Sequence, residues 1–189
     1  MIWFVALLDI VCLLAAFGVR TVIQRRRTGD SGWRLGRPHS VAEGAARALL
    51  VLGAVGLAVA LLRMDTTPPA ALVVVAVIAA VAAVVLIAVA QLQMGESWRI
   101  GLDPDEETAL VTSGIYASIR NPIYTGMVLF AVAHAVLTPS PWAVAAVVLI
   151  LVGVQLQVRA VEEPYLERLH RDDYRSWTRI SGRFVPQLG

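Results

Sequence analysis

The chain has 189 residues, 58% hydrophobic and 16% charged, with a mean hydropathy of +0.70 and a formal net charge of +2. A water-soluble domain carries about 25% charged residues and spaces its apolar residues periodically, whereas here they are gathered in blocks near the length of about 20 that a bilayer core needs. An ordinary soluble domain is therefore excluded, the bilayer is the expected partner, and nothing in the charge pattern points to nucleic acid.

The first apolar run, Ile2–Ile23, has no basic segment before it and no small-residue cleavage site after it. It ends at Arg25, Arg26 and Arg27, so it reads as a stop-transfer span and not as a cleavable signal. The only cysteine, Cys12, lies inside it and reads as an apolar packing residue. Asp9 also lies inside it. An ionisable group there suggests a proton relay, or more plainly a hydrogen bond to a neighbouring helix or to headgroups. A second span runs from about Ala45 to Leu62 and stops before Arg63 and Pro68-Pro69. The third, Ala70–Ala90, is unbroken Ala, Val, Leu and Ile. The fourth, Ile123–Leu137, is short and carries His134, which reads as an interhelical hydrogen-bond partner. Thr138-Pro139-Ser140-Pro141 cannot continue a helix, so the fourth span and the fifth, Trp142–Val158, are expected to form an antiparallel hairpin.

The fold class read from this pattern is all-α: an integral membrane protein with five transmembrane helices and a C-terminal helical segment beyond them. One domain spans 1–189, with a three-helix membrane portion over 1–90 and the chemistry in 91–189. All sixteen basic residues are arginine, and segments 20–47, 91–122 and 159–189 hold fifteen of them. The positive-inside rule puts those segments and the C-terminus in the cytoplasm and the N-terminus outside, in a cell membrane.

Three polar stretches stand out. "DPDEE", Asp103 to Glu107, lacks the glycine and alternating ligands of a calcium loop and reads as a solvated acidic turn, so no metal site is expected. In "QVRAVEEPYLERL", Arg159 lies three and four residues before Glu162 and Glu163, which on an α-helix shares one face at the membrane boundary. Pro164 is expected to kink that helix and turn the tail along the membrane surface. In "GIYASIRNPIYTG", Tyr116 and Tyr124 flank Arg120, Asn121 and Pro122, just before an apolar helix. That helix start offers unpaired N–H groups for a carboxylate, and tyrosine faces suit a cation. By residue chemistry alone, these stretches describe a cytoplasmic-facing site for a small charged ligand.

Three ordered motifs add to this. "LVTSGIYASIRNPIYTG", "RAVEEPYLERL" and "DYRSWTRISGRFVP" resemble the isoprenylcysteine carboxyl methyltransferase family and its phospholipid-methyltransferase-like relatives, over residues 108–189. The resemblance implies a membrane methyltransferase dependent on S-adenosyl-L-methionine, with a lipophilic or prenylated acceptor. It further implies that Ala109, Leu110, Val111 and Tyr116 line the cofactor pocket, and that Asn121, Pro122 and Tyr124 hold the cofactor. Glu163 would bind it from the opposite side. Arg159 would orient an acceptor carboxylate, Arg120 would support either ligand, and Glu162 would serve as the base for an amine acceptor. Asn121 stands where the prenylcysteine enzymes have histidine, and Pro164 interrupts a helix that usually continues. Two other readings compete: a membrane reductase of the sterol type, whose C-terminal half is similar, and a non-enzymatic membrane protein or small transporter. The scarcity of polar residues inside the spans weighs against transport.

Overall fold

A computed structural model describes residues 1–34, 36–101 and 106–187. Among these the chain is helical, with only two isolated backbone bridges of β type. In order, α1 (Ile2–Leu13) passes through a π turn (Leu14–Gly18) into α2 (Val19–Thr28). Then follow α3 (Val41–Leu62), α4 (Ala70–Met94), α5 (Pro122–Leu137) and α6 (Pro141–Gln157). A second π turn (Val158–Glu162) leads into α7 (Glu163–Ile180).

Four continuous helical stretches are long and apolar enough to cross a membrane: Ile2–Thr28, Val41–Leu62, Ala70–Ser97 and Pro141–Ile180. The protein is an integral membrane protein. The fifth expected span, α5, is apolar but has 16 residues. At 1.5 Å per residue it is about 24 Å long, short of a hydrocarbon core of about 30 Å. Large side chains such as Leu7, Val55, Ile78, Val85 and Val148 are exposed around the bundle, where lipid tails cover them.

Small residues set how the helices pack. α3 lies along α6 and α4 along α5, whereas α5 and α6 meet over a shorter stretch. A Cβ on Gly53 would come within 2.5 Å of Ile150 Cγ1, and one on Gly126 within 2.9 Å of the Ala83 carbonyl. Both backbones therefore approach closer than any side chain permits, the usual way apolar helices gain contact when hydrophobic burial supplies no drive. Ala46, Ala60, Ala80, Ala83 and Ala90 are buried for the same reason.

The two ionisable residues inside the apolar helices meet. His134 Nδ1 lies 3.0 Å from Asp9 Oδ2, and its Nε2 lies 3.1 Å from the Leu57 carbonyl oxygen. α1, α3 and α5 are thus tied by one imidazole, and a neighbouring helix is what each residue needed. His134→Leu would leave the Asp9 carboxyl without this partner at membrane depth. The expected cost is about 3 kcal/mol, read as a lower midpoint of unfolding in detergent.

On α2, at the arginine-rich side, Arg20 and Gln24 are both buried and donate to the Gly95 and Glu96 carbonyls just beyond α4. A cation at a helix C-terminus meets the negative end of its dipole. The Arg20 guanidinium also lies 4.9 Å from the ring centroid of Trp98.

At its other end the chain differs from expectation at Pro164. The helix does not break there, because proline follows the π turn, where the backbone is already widened and a missing N–H and a bulky ring are accommodated. The kink comes at Arg171, whose φ of 43° falls in the left-handed region. Tyr174 and Trp177 beyond it pack edge to face, with ring centroids 5.8 Å apart, against Ala90 and Tyr116.

Candidate functional site

At the arginine-rich ends of the helices lies one cavity of about 660 Å³. Its walls come from the first π turn, α3, the end of α4, the segment before α5, the start of α5, the second π turn and α7. The size lies within the range of small-molecule sites.

The segment before α5 supplies Ala109, Leu110, Val111 and Tyr116, all lining the cavity. Tyr116 is buried, its hydroxyl donates to the Ala90 carbonyl over 3.3 Å, and burial pushes its phenol well above the usual tyrosine range. Trp177 Nε1 donates to the Tyr116 carbonyl over 2.8 Å, so the second half of α7 holds this wall. Gly114, with φ of 61°, turns the chain into it.

Arg120, Asn121, Pro122 and Tyr124 also line the cavity. The C-terminal tail holds them. Arg120 and Asn121 donate backbone N–H groups to the Gly182 and Arg183 carbonyls over 2.8 and 3.1 Å, and Gly182 returns one to Ser118 over 2.9 Å. The Asn121 amide nitrogen donates to the Arg183 carbonyl over 3.1 Å, and Thr125 Oγ1 to that of Phe184 over 2.7 Å. Arg120 caps the end of α7 through the Thr178 and Ser181 carbonyls. The tail, and not a ligand, therefore takes the N–H groups just ahead of α5, and the Asn121 amide secures it.

Opposite stands Glu162, the only carboxylate among the described residues lining the cavity. It accepts from the Tyr124 hydroxyl, and from Gln157 Nε2 over 3.2 Å. The π turn explains its neighbours. On an α-helix Arg159 would share a face with Glu162 and Glu163, but the widened turn rotates them apart. Arg159 is exposed, donates to Gln155 Oε1 over 2.7 Å and does not line the cavity. Glu163 stands behind the wall, paired in bidentate fashion with Arg183 at 2.7 and 3.0 Å, with Arg120 Nη2 at 3.9 Å. Glu163 raises the Arg183 guanidinium above its ordinary value.

The residue-level reading did not single out Gln91, Trp98, Arg99 or Gln157, which also line the cavity. Each glutamine ends an apolar helix in the same pattern, "QLQ" at 91–93 and 155–157, and that repeated polar ending was the available signal. Arg99 donates to Thr108 Oγ1 over 3.0 Å and to the Tyr165 hydroxyl over 3.2 Å. Among the described residues, Gln91 Nε2, Gln157 Oε1 and Arg120 Nε are buried at this cavity without a hydrogen-bond partner. Buried polar atoms rarely go unpaired. One donor amide, one acceptor amide and one guanidinium N–H thus lie unpaired in the wall, on residues that line the cavity.

Asp103 to Asp105 of the acidic turn lie outside the described residues. Glu106 follows them, and it is not merely solvated. It contacts Arg34 Nη2 at 2.7 Å and Arg99 Nη1 at 2.8 Å, while Arg34 also binds Asp30 at 2.5 Å. Backbone bonds Arg34 N to Ile100 O (2.7 Å) and Ile100 N to Gly32 O (2.8 Å) join the same two segments. The Arg34 side chain holds the Asp30 carboxyl down to about 2 and lowers Glu106 as well, and both carboxylates raise Arg34 in turn. A carboxylate depressed on folding stabilises above its unfolded value and loses that contribution as pH falls through its folded value. This clasp should therefore loosen below about pH 4. Amide exchange at Ile100 should accelerate there relative to amides in α3. Unchanged relative protection down to pH 2 would contradict it. Among the described residues no group of three or more His, Cys, Asp or Glu could hold a metal ion.

Residues 70–173, from the start of α4 into α7, match the phospholipid methyltransferase family. The chain belongs to that family. No curated protein matches it. The matched segment carries the motif residues from Ala109 to Tyr124 together with Gln157 and Glu162, so the cavity is the candidate centre of a membrane methyltransferase. Helices α1 to α3 and the tail after residue 173 lie outside the match.

Proposed function

We propose that the protein transfers a methyl group from S-adenosyl-L-methionine to a lipid-like acceptor at the cytoplasmic face of the membrane. The observation that carries this reading is a cavity, built largely from family-matched segments, whose lining joins Glu162, Arg99 and Arg120 to the apolar side chains Leu50, Val51 and Ala54 of α3. The chain then functions as one domain, with five spans, α5 and α6 paired as a hairpin, the N-terminus outside and the C-terminus inside. Fifteen of sixteen arginines on one side support that orientation.

In this reading Ala109, Leu110, Val111, Tyr116, Asn121, Pro122 and Tyr124 hold the cofactor, whose sulfonium supplies an electrophilic methyl group. Glu163 acts from behind, keeping Arg183 and the tail in place. Tyrosine faces and the Glu162 carboxylate suit a cation held nearby. The protein's contribution is chiefly positioning and exclusion of water, which can supply several kcal/mol of barrier reduction.

Two acceptor chemistries are supported by different observations. A carboxylate of the isoprenylcysteine type needs no base, and Arg99 and Arg120 face the cavity to orient it. Arg159 does not face it, so its part in this reading is to anchor the helix at the interface. An amine needs an acceptor for its proton, and Glu162 beside the unpartnered Gln157 Oε1 offers one.

Incubation of the purified protein with methyl-labelled cofactor and a total lipid extract tests both. Label that mild base releases as volatile methanol identifies a carboxyl methyl ester, and label that stays non-volatile after base identifies an N-methyl product. Absence of cofactor binding by calorimetry, with no label transferred, would overturn the proposal.

A further inference from the structure

Two buried polar side chains of α2 do not line the cavity and are not explained by it. Arg20 is 3% exposed and Gln24 is 4% exposed. Arg20 Nη2 donates to the Gly95 carbonyl, yet Arg20 Nε and Nη1 have no hydrogen-bond partner, and neither has Gln24 Oε1. No carboxylate among the described residues forms an ion pair with Arg20.

A guanidinium stays charged at every physiological pH, and a buried charge requires a partner. What surrounds Arg20 supplies only part of one. The end of α4 offers about half a negative charge. The Trp98 ring, 4.9 Å from the guanidinium, adds the weaker attraction of a π face. About half a positive charge and two unpaired nitrogens are left over.

Neighbouring residues extend this demand along the helix. Arg20, Gln24 and Arg27 are spaced i, i+4 and i+7 and so share a face. Helical side chains lean toward the N-terminus, which brings the exposed Arg27 back toward Gln24 and Arg20. Gln24 is fixed through Nε2, which donates to the Glu96 carbonyl over 3.0 Å, so its oxygen is left as the acceptor. The continuous stretch Ile2–Thr28 has 27 residues. At 1.5 Å per residue it is about 40 Å long, against a hydrocarbon core of about 30 Å. With Ile2 at one edge of that core, the strip from Arg20 to Arg27 crosses the other edge into the headgroup layer.

We propose that Arg20, Gln24 and Arg27 form a binding site for a phosphate oxyanion at the arginine-rich face of the membrane. The two arginines take the phosphate oxygens, and Gln24 Oε1 accepts from a hydroxyl beside them. An anionic phospholipid with a hydroxylated headgroup carries this chemistry, and inorganic phosphate shares its oxyanion. Engaging it turns the long Arg20 side chain and not the helix. The bound anion ties α2 to the segment after α4, beside Ser97 and Trp98 of the cavity wall. α2 lies before residue 70, outside the family match, so the site is independent of the methyl-transfer reading.

The test follows the unfolding midpoint of the full chain in neutral detergent at fixed ionic strength. Phosphatidylglycerol, phosphatidylcholine or sodium phosphate is added in turn. Phosphatidylglycerol should raise the midpoint saturably, and phosphatidylcholine less, because its choline cation meets Arg25 to Arg27. Arg20→Gln should weaken the apparent Kd for phosphatidylglycerol by at least about tenfold. Arg27→Gln should weaken it about threefold, and because Arg27 is exposed this variant keeps the test decisive if Arg20→Gln does not fold. Arg26→Gln, also exposed but about 100° round the helix, should bind like the parent protein. A saturable shift with phosphatidylglycerol alone assigns a lipid to the site, and an equal shift with sodium phosphate assigns a soluble ligand to it. No saturable shift with either, equal shifts with the two lipids, or equal losses in Arg26→Gln and Arg27→Gln would overturn the proposal. The readout needs no cofactor, so a failure of methyl transfer would leave it standing.

Discussion

With an amine acceptor, replacing Glu162 with glutamine should lower kcat/KM for methyl transfer by at least about 100-fold while the protein stays folded, the effect appearing chiefly in kcat. Glu162 is the only carboxylate lining the cavity among the described residues, so no neighbour can take over its charge. Glutamine keeps the shape but points an amide where Tyr124 and Gln157 now donate to an oxygen. Tyr124→Phe removes one charge-assisted bond of about 1.5–3 kcal/mol and should cost roughly tenfold or more. Steady-state kinetics with calorimetry of the cofactor separates the two effects. An unchanged kcat/KM in Glu162→Gln would remove this residue from the chemistry.

Gly182→Ala should release the C-terminal tail and abolish most activity. A Cβ there would lie 1.7 Å from the Val185 carbonyl oxygen, so the tail cannot keep its path. Its departure would break three backbone bonds to Ser118, Arg120 and Asn121, and with them the side-chain bonds from Asn121 and Thr125. At about 1 kcal/mol for each such bond the loss is about 3–5 kcal/mol, enough to free the whole segment. New protease cleavage after residue 180, and cofactor affinity lowered at least tenfold by about 1.4 kcal/mol or more, are the expected readouts. Gly36→Ala, where an added Cβ meets nothing within 4 Å, is the control. A tail as protected as in the parent protein would contradict the assignment.

These two residues differ in how readable they were. Glu162 stands in a motif that resembles the family, and its type alone marks it near a membrane face. Gly182 carries no such mark, because its importance lies in contacts with Val185 and with residues some sixty positions earlier. The same contrast runs through the cavity. Tyr116, Arg120, Asn121 and Tyr124 were legible as a polar and aromatic cluster beside an apolar helix, and Ala109 to Val111 only through the motif that resembles the family. Gln91, Trp98 and Arg99 were not, since their roles depend on which way the end of α4 faces. Arg159 and Glu163 show the reverse case. Their spacing assumed an α-helix, and a π turn, with no evident sequence signature, sent one outward and the other behind the wall.

By itself the sequence determined the solvent of this protein, the approximate ends of its apolar helices and the side that gathers arginine. A bilayer imposes length and charge rules that act residue by residue, with little reference to the fold. The motif order was equally local and carried the family. The tertiary structure alone decided which side chains face one another. Gly53, Gly56 and Gly126 set helix rotations through close backbone contact, the π turns reset the angular spacing of the residues that follow, and the tail returned to hold Asn121. Each of these is a contact between positions distant in the chain, or a small change of helical angle. Neither leaves a trace in hydropathy or in residue spacing.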